Sequence, residues 1–308
     1  MQLKPLAILM CTFQGQKFLA EQFDSFTAQT RQDWTLWISD DGSWDTTRSI
    51  IETYRQRWPT GRLNLLDGPQ RGFAANFLSM VCHAQVEANY FAWSDQDDCW
   101  EPDKLDRAMA WLTQQSVEIP ALYCSRTRLV DAQNQHIGYS PLFRKPPCFR
   151  NALTQNVGGG NTMVFNHAAR DLIREAGDTT PAVSHDWWAY QLVSACGGNL
   201  FYDPYPSVRY RQHSTNLVGA NIGLRAHFKR ISLLLSGRFR AWNTANLDAL
   251  EEMKHRITPE NQQVISHFHA ARGRGLFPRL LGLVRSKAYR QTILGTLALF
   301  LGTLIRKI

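Results

Sequence analysis

The 308-residue chain lacks several features that would assign it to a large protein class. Its six cysteines show neither C-x-x-C pairing nor a zinc-like spacing, so we expect reduced thiols in a cytosolic compartment. The sequence contains no internal repeat and no low-complexity tract. It also contains no phosphate-binding P-loop, which argues against a nucleotide hydrolase of that type.

Long apolar runs are missing as well. The longest, TILGTLALFLGTLI at 292–305, is shorter than the roughly 20 residues that a membrane-spanning helix needs. The start, MQLKPLAILMCTF, lacks the charged segment and the cleavage site of a signal peptide, so we expect a buried first strand there. The sequence therefore predicts peripheral attachment to a membrane rather than insertion.

Negative charge is scarce in the last part of the chain. From residue 221 onward there are 15 Lys and Arg against 4 Asp and Glu, whereas residues 1–220 carry 19 against 22. Such asymmetry is typical of a segment that meets phosphate, as lipid headgroups or nucleic acid, although a solvated basic helix gives the same pattern. We expect the membrane surface, and no nucleic-acid partner.

The first 130 residues alternate apolar runs with amphipathic stretches. Strands are predicted at 6–13, 34–40, 62–68, 90–95 and 121–130, and helices between them at 16–29, 44–58, 72–85 and 101–115. This alternation predicts βαβ units, and therefore an α/β fold with a mostly parallel sheet covered by helices on both faces. Further on, a helix is expected at 184–195, a strand at 205–213, and basic amphipathic helical pieces at 224–242 and 276–305.

That architecture predicts where a ligand would bind. In an open α/β sheet, ligands lie at the carboxyl ends of the strands, where helix N-termini and loops converge. Thr12, Asp40 and Asp41, and the acidic run that begins at Asp95 each fall at or just after the end of a predicted strand. We therefore expect these residues to meet at one edge of the sheet.

The run DQDD at 95–98 is the strongest chemical signal in the sequence. Carboxylates this close repel one another and raise one another's pKa unless a cation is present. Oxygen ligands suit Mg²⁺ or Mn²⁺, which in turn bind the phosphates of a substrate. A solvated acidic loop is the alternative, but the flanking Trp93 and Trp100 indicate a partly buried site.

The order of the motifs carries a family resemblance. CTFQG, SDDGSWDTT and SDQDDCWEPDKL, in that order, resemble the nucleotide-sugar-binding half of inverting family-two glycosyltransferases, whose fold is called GT-A. FAWSDQDDCWEPDKL, GGGNTMVFN, SHDWW and YRQHSTNLVG are most similar to bacterial rhamnosyltransferases that build O-antigen, a part of lipopolysaccharide, and related surface polysaccharides. The resemblance covers roughly residues 5–220.

Residue by residue, the resemblance implies a donor site. Asp95 and Asp97 match the D-x-D pair that holds a metal, Mg²⁺ or Mn²⁺, against the diphosphate of the donor. Thr12 and Asp41 match positions that line the nucleotide pocket, and Arg71 in QRGFAANF is a further candidate contact. The resemblance implies a nucleotide-sugar donor, with dTDP-rhamnose as the expected one.

The resemblance also implies a base and a third metal ligand. Asp186 in SHDWW matches the family's catalytic base, with His185 in place of a preceding acid, although an aspartate at this position could instead cap the helix. His213 in YRQHSTN matches a histidine that some members add to the metal shell, although a lone histidine more often has a structural role. The family often has Cys where Asn161 stands, so the role of that residue stays open.

These features predict a GT-A domain over residues 1–220 and a basic helical extension over 221–308. The expected reaction is metal-dependent transfer of L-rhamnose to a hydroxyl of a polyprenyl-linked glycan, at the cytoplasmic face of the cell membrane. The extension could bind the anionic membrane, pack on the core, or form a homo-oligomer contact. Alternatives are another hexosyl or galactofuranosyl transferase, a metal-dependent nucleotidyltransferase or phosphohydrolase, or a non-catalytic glycan-binding protein.

Overall fold

The computed structural model describes residues 6–213 and 236–308 of the chain. Within these ranges the strands, in chain order, are β1 (Leu6–Thr12), β2 (Trp34–Asp40), β3 (Leu63–Asp67), β4 (Tyr90–Ser94), β5 (Cys99–Trp100), β6 (Ala121–Val130), β7 (His136–Tyr139), β8 (Val164–Asn166) and β9 (Asn199–Arg211). The strands predicted at 34–40 and 121–130 coincide with β2 and β6.

The helices of the same ranges are α1 (Leu19–Thr27), α2 (Thr47–Arg57), α3 (Phe73–Cys82), α4 (Lys104–Leu112), α5 (Phe149–Ala152), α6 (His167–Ala176), α7 (His185–Ala195), α8 (Arg238–Glu252), α9 (Pro259–Ala271), α10 (Leu276–Ser286) and α11 (Ile293–Leu304). Two 3₁₀ turns lie at Gly160–Thr162 and Lys254–Arg256. Of the helical piece predicted at 224–242, residues 224–235 lie outside the described residues.

One sheet organises all the described strands. Its order is β3, β2, β1, β4, β8, β6, β9 and β5, and β7 pairs with β6 outside this path. The strands β3, β2, β1 and β4 are parallel, as the βαβ pattern predicted. The short β8 then runs antiparallel between β4 and β6, whereas β6 and β9 are parallel to each other. The fold is therefore mixed α/β.

The register of the parallel strands brings their carboxyl ends to one edge. Thr12 is the last residue of β1 and lies opposite Asp40, the last residue of β2. On the other side of β1, Met10 lies opposite Ser94, the last residue of β4. The acidic run that follows Ser94 therefore emerges beside Thr12 and Asp40, and the predicted meeting of the three strand ends is confirmed.

Apolar side chains cover both faces of the sheet, as β1 illustrates. Its residues point alternately to the two faces, and all of Leu6 to Met10 are fully buried. On one face they meet Phe23 of α1 and Leu105 of α4. On the other they meet Phe77 of α3 and Trp188 of α7. Helices on both faces thus complete the predicted architecture.

The C-terminal helices share a hydrophobic core with the sheet. Leu247, Phe268, Leu283 and Leu299, from α8 to α11, are buried in the same cluster as residues of α7. Helices α9 and α10 approach so closely at Gly282 that a Cβ there would lie 2.6 Å from a backbone nitrogen. The extension therefore packs on the part of the chain that contains the sheet, and the boundary near residue 220 stays a prediction.

The stretch predicted as helical at 276–305 is two helices with a break between them. Lys287 follows α10 with a φ of 52°, in the left-handed region that ends helices. Thr292 begins α11, and its side chain accepts a hydrogen bond from the Gly295 amide at 3.0 Å. None of the helices in the described ranges combines the length and apolar character needed to cross a bilayer.

Candidate active site

The ends of β1 and β2 are joined by a buried polar network. The Thr12 hydroxyl donates to the Asp40 carboxylate at 2.9 Å, and the Ser43 hydroxyl donates to the same oxygen at 2.6 Å. Asp40 is 2% exposed, and Arg48 pairs with its other oxygen at 3.6 Å. These hydrogen bonds therefore hold the ends of β1 and β2 together at this edge of the sheet.

Asp41 points its carboxylate toward the next loop. It accepts a hydrogen bond from the Gln70 amide at 2.6 Å. Burial raises the pKa of the neighbouring Cys11 thiol well above its usual value, and the charges of Asp95 and Asp41 raise it further. Asp41 and Asp95 thus lie on either side of one strand end.

Arg71 lies at the rim of the site. Its guanidinium pairs with Asp178 at 3.0 Å, and both side chains are roughly half exposed. Exposed ion pairs of this kind contribute little stability, so a ligand phosphate could exchange with Asp178 at small cost. In this structure the charge of Arg71 is therefore offset by Asp178.

Three carboxylates converge after β4. One oxygen from each of Asp95, Asp97 and Asp98 lies within 4.8 Å of the others, a spacing that could hold a metal ion. Partial burial, followed by repulsion from Asp97 and Asp186, raises the pKa of Asp95 to about 8. A proton or a cation must therefore offset the charge of this cluster near neutral pH.

Asp98 has a structural role and connects the acidic loop to neighbouring elements. It is fully buried, and its carboxylate accepts from the Asn161 side chain at 2.5 Å and from the Arg211 amide at 3.1 Å. Asp98 does not cap the following helix, because α4 begins at Lys104 and the carboxylate of Asp98 is bonded elsewhere. Asn161, whose role was open, positions Asp98.

Arg211, at the end of β9, holds the acidic loop in place. Its side chain is fully buried and donates to the Asp97 carbonyl at 2.9 Å, the Ala132 carbonyl at 3.1 Å and the Glu21 carboxylate at 2.5 Å. The guanidinium also lies 4.5 Å from the centroid of the Phe18 ring. Sequence reasoning missed this residue, since an arginine in an alternating strand usually faces solvent.

Replacing Arg211 with Met should lower the free energy of unfolding by about 2–3 kcal/mol, since buried hydrogen-bond acceptors would lose their donor. Urea denaturation measures this loss. Arg55, whose pair with Glu52 is half exposed, provides the matched control. Arg55→Met should cost less than about 0.5 kcal/mol, and equal losses in the two variants would contradict the role given to Arg211.

Asp186 lies in the first turn of α7 and faces the acidic loop. Ser184 is the residue that precedes the helix, so Asp186 is not its N-cap. Its carboxylate accepts from the Gly160 amide at 3.1 Å and the Trp187 amide at 2.7 Å. It lies close enough to Asp95 to raise the pKa of that group. The fold thus brings together two carboxylates that are about 90 residues apart in the sequence.

His185 lies behind Asp186 in an apolar slot. Its ring stacks on Phe77 with centroids 3.9 Å apart and meets Trp93 edge-on at 4.7 Å. Burial lowers the pKa of His185 to about 4, so the ring is neutral at neutral pH and cannot act as an acid there. A Cβ on Gly160 would lie 2.3 Å from the His185 ring, which explains a glycine at this position.

His213, two residues after the end of β9, contacts the acidic loop. Its Nε2 atom lies 2.7 Å from the Asp97 carboxylate, and its ring lies 5.1 Å from that of Phe18. Asp97 and His213 are therefore hydrogen-bond partners, whereas the cluster of carboxylates that could hold a metal ion consists of Asp95, Asp97 and Asp98. The structure thus links Asp97 to His213 and Asp95 to Asp97 and Asp186, with Thr12 and Asp41 at the ends of the neighbouring strands.

An exposed aromatic pair borders the same edge. Phe13 and Trp44 are 48% and 80% exposed, and their rings meet edge-on with centroids 5.4 Å apart. The Gln96 side chain holds the Phe13 backbone through two hydrogen bonds of 2.9 Å. Sequence reasoning missed this pair, although an aromatic residue within each of two strand-end motifs could have indicated it.

Comparison with known proteins agrees with this geometry. The family described as Glycosyl transferase family 2 matches residues 7–172. The chain is 29% identical to the dTDP-rhamnosyl transferase RfbG of Shigella flexneri over 79% of this chain and 85% of that protein. This relative was expected from the motifs quoted above.

Two solved structures share the fold. The S. aureus TarS fragment 1–349 with UDP-GlcNAc has a TM-score of 0.55 at 14% identity and covers 92% of this chain and 93% of that chain. The mannosyltransferase PcManGT from Pyrobaculum calidifontis, with GDP-Man and Mn²⁺, has a TM-score of 0.52 at 16% identity, covering 99% and 86%. The GT-A fold is thus shown, and the family match over more than half of the sequence shows that the chain belongs to glycosyl transferase family 2.

Proposed function

We propose that the protein transfers L-rhamnose from dTDP-rhamnose to a hydroxyl of a lipid-linked glycan, with inversion at the anomeric carbon, in O-antigen or related surface polysaccharide synthesis. The observation that carries this proposal is the approach of Asp186 to Asp95, which lies in one cluster of carboxylates with Asp97 at the sheet edge. A single displacement at a sugar carbon requires a base for the attacking hydroxyl next to a centre that binds the leaving diphosphate.

Asp186 is the proposed base. Its carboxylate takes the proton of the acceptor hydroxyl as that oxygen bonds to the anomeric carbon, and the bond from this carbon to the donor diphosphate breaks. The diphosphate leaves with the electron pair. The amides of Gly160 and Trp187 fix the carboxylate for this role. One attack from the side opposite the leaving group inverts the configuration of the carbon.

Asp95 and Asp97, with His213, are the proposed ligands of Mg²⁺ or Mn²⁺. Asp98 accepts hydrogen bonds from Asn161 and Arg211, so Asp95 and Asp97, the latter bonded to His213, are the proposed ligands among the three carboxylates. A shell with few protein ligands suits these metals, which keep places for water and substrate phosphate. When bound, the ion would supply Lewis-acid stabilisation of the negative charge on the departing diphosphate. Thr12, Asp41 and Arg71 are the proposed contacts of the nucleotide.

The proposed carboxylate site has a testable pH dependence. In the metal-free protein the pKa of Asp95 is raised from 3.8 to about 8, so the folded state binds a proton that the unfolded state releases. Stability should therefore fall as pH rises from about 4 to about 8. Saturating Mn²⁺ should raise the melting temperature more at pH 8 than at pH 5, because the ion competes with that proton.

Melting curves at the two pH values, with and without Mn²⁺, measure this effect. Asp95→Asn should lose less stability than the wild type between pH 5 and pH 8 without metal, because its amide does not titrate, whereas Asp98, whose pKa is also raised by burial, still does. A metal-free wild type that is more stable at pH 8 than at pH 5 would contradict the raised pKa of Asp95.

The donor is proposed from the relative RfbG, described as a dTDP-rhamnosyl transferase. A thermal-shift screen of sugar nucleotides with Mn²⁺ tests it, since a ligand raises the melting temperature by mass action. At 100 times its dissociation constant, dTDP-rhamnose should stabilise the fold by about 2.7 kcal/mol. A response to UDP-sugars and none to dTDP-rhamnose would overturn this donor and favour another hexosyl or galactofuranosyl transferase.

The acceptor is proposed to be a glycan on a polyprenyl carrier, reached from the cytoplasmic face of the membrane. The excess of basic over acidic residues after residue 220 supports this location, because that leaflet is rich in anionic lipids. A basic extension would hold the enzyme at the surface that carries its acceptor. In this proposal residues 1–220 form the catalytic domain and 221–308 the extension.

A further inference from the structure

Helix α11 exposes a continuous apolar face. Five large side chains, spaced three or four residues apart or adjacent, are between 41% and 78% exposed: Ile293, Leu294, Leu297, Leu301 and Leu304. On the opposite side, Leu299 and Thr303 are buried in the core. The preceding helix α10 exposes Leu276, Phe277 and Val284 by 54–76%. Exposed apolar surface this large marks an interaction site.

The charged side chains of the segment that contains α10 and α11 are all basic. Residues 261–308 contain eight Lys and Arg and no Asp or Glu. Four exposed basic residues lie within three positions of these apolar residues in the sequence: Arg274, Arg285, Lys287 and Arg306. A helix that faces only water usually alternates acidic and basic residues. Apolar side chains bordered by basic ones are typical of helices that lie in the headgroup region of an anionic bilayer.

We propose that the outer faces of α10 and α11 dock on an anionic lipid surface, which holds the active site at the membrane that carries the acceptor. The inference rests on the proposed function, because it supplies the route by which a lipid-linked acceptor reaches Asp186. The leucines enter the boundary between headgroups and acyl chains, and the basic residues contact lipid phosphate.

The connection between the docking face and the site is short and firmly bonded. The segment before α11 is held against the loop after α5: the Gln291 amide donates to Gln155 at 2.9 Å, and Arg290 donates to the Thr154 carbonyl at 2.5 Å. Five residues beyond Gln155, the Gly160 amide donates to Asp186 at 3.1 Å. The face that meets lipid therefore has a fixed position relative to the proposed base.

A second copy of the chain fits this face less well than lipid does. A two-fold contact between identical α11 faces would bring two sets of basic side chains together, with no acidic residue after Glu260 to pair with them. Anionic lipid provides both the apolar layer and the negative charge. Charge complementarity therefore favours an anionic bilayer over a second copy of the chain as the occupant of this face.

Co-sedimentation of the full chain with vesicles tests the proposal. The wild type should pellet with vesicles of phosphatidylcholine and phosphatidylglycerol, less with phosphatidylcholine alone, and less again as salt is raised. The double variant Leu294→Glu with Leu297→Glu should bind at least about tenfold more weakly. The control, Val117→Glu with Ile137→Glu, changes side chains that are 76% and 55% exposed outside the docking face and should bind like the wild type.

Equal binding of the Leu294/Leu297 variant and the wild type would overturn the proposal, as would a wild type that pellets with neither vesicle. Light scattering without lipid tests whether a second copy of the chain occupies this face. A dimeric wild type together with a monomeric Leu294/Leu297 variant would assign the face to self-association instead. The same samples are titrated with dTDP-rhamnose and Mn²⁺. Vesicle binding without a donor response would refute the proposed donor and leave the docking surface standing.

Discussion

Replacing Asp186 with Asn is expected to reduce sugar transfer by about 100- to 10,000-fold while leaving donor binding unchanged. The amide keeps the size of the carboxylate and can still accept from Gly160, so the local fold should persist. It cannot accept the proton of the acceptor hydroxyl, however, and the attacking oxygen then stays a poor nucleophile. Initial rates with saturating donor measure the loss, and a thermal shift with dTDP-rhamnose measures donor binding.

Asp171 offers a matched control for that experiment. It is an exposed carboxylate on α6, paired with His167 at 2.9 Å outside the acidic cluster. Asp171→Asn should keep transfer within about twofold of the wild type, because substitutions of exposed surface residues change stability little. Full transfer by Asp186→Asn would remove Asp186 as the base. Loss of donor binding together with transfer would instead assign Asp186 to the donor site.

Replacing Asp97 with Asn is expected to weaken Mn²⁺ binding by at least about 100-fold and to abolish the part of donor binding that depends on the metal. Two interactions are lost together, since the carboxylate is a proposed metal ligand and also meets His213 at 2.7 Å. Removing a charge from a crowded acidic cluster can even stabilise the metal-free fold. Calorimetric titration with Mn²⁺, followed by donor, separates the two steps.

Asp103 is the control for Asp97, because it lies six residues later in the sequence and its side chain is 41% exposed. Asp103→Asn should bind Mn²⁺ and donor like the wild type. If Asp97→Asn binds donor with undiminished dependence on Mn²⁺, the metal site does not include this carboxylate. A donor that binds both proteins equally with and without the metal would contradict a metal-dependent site.

The parallel half of the sheet could be predicted from sequence because its signal is local. In β1, β2 and β4 a short apolar run ends in a polar or acidic residue, and the helices between them have their own periodicity. Parallel strands joined in this way must place their ends together, so the meeting of Thr12, Asp40 and Asp95 followed from connectivity alone. The helix at His185–Ala195 was predicted to within one residue for the same reason.

The antiparallel part could not be predicted in this way. Strand β8 has three residues and β5 has two, too few to show any period. Their pairing depends on partners about 40 and 110 residues away in the sequence, such as Leu122 for Phe165 and Arg209 for Cys99. No local pattern specifies contacts of that range. The glycine run before β8 therefore carries no local signal of the strand that follows it.

Buried charged side chains were the other feature that could not be predicted from the sequence. The sequence offers no sign that Arg211 is fully buried, because its burial depends on Glu21 and the Asp97 carbonyl arriving from other elements. The same holds for Asp98, whose partners Asn161 and Arg211 also come from other elements. The break between α10 and α11 was also missed, since no proline or glycine marks residues 287–292 and the bonds that hold them come from the loop after α5.

The central claim is that the acidic cluster and Asp186 form one metal-dependent centre for rhamnosyl transfer. Its most direct test is the transfer of labelled rhamnose from dTDP-rhamnose to lipid-linked glycans extracted from membranes, by the wild-type protein with Mn²⁺ and after chelation. We predict labelled lipid with Mn²⁺, at least about 100-fold less after chelation, and recovery when Mn²⁺ is restored. Transfer that proceeds unchanged in the presence of chelator would contradict the claim.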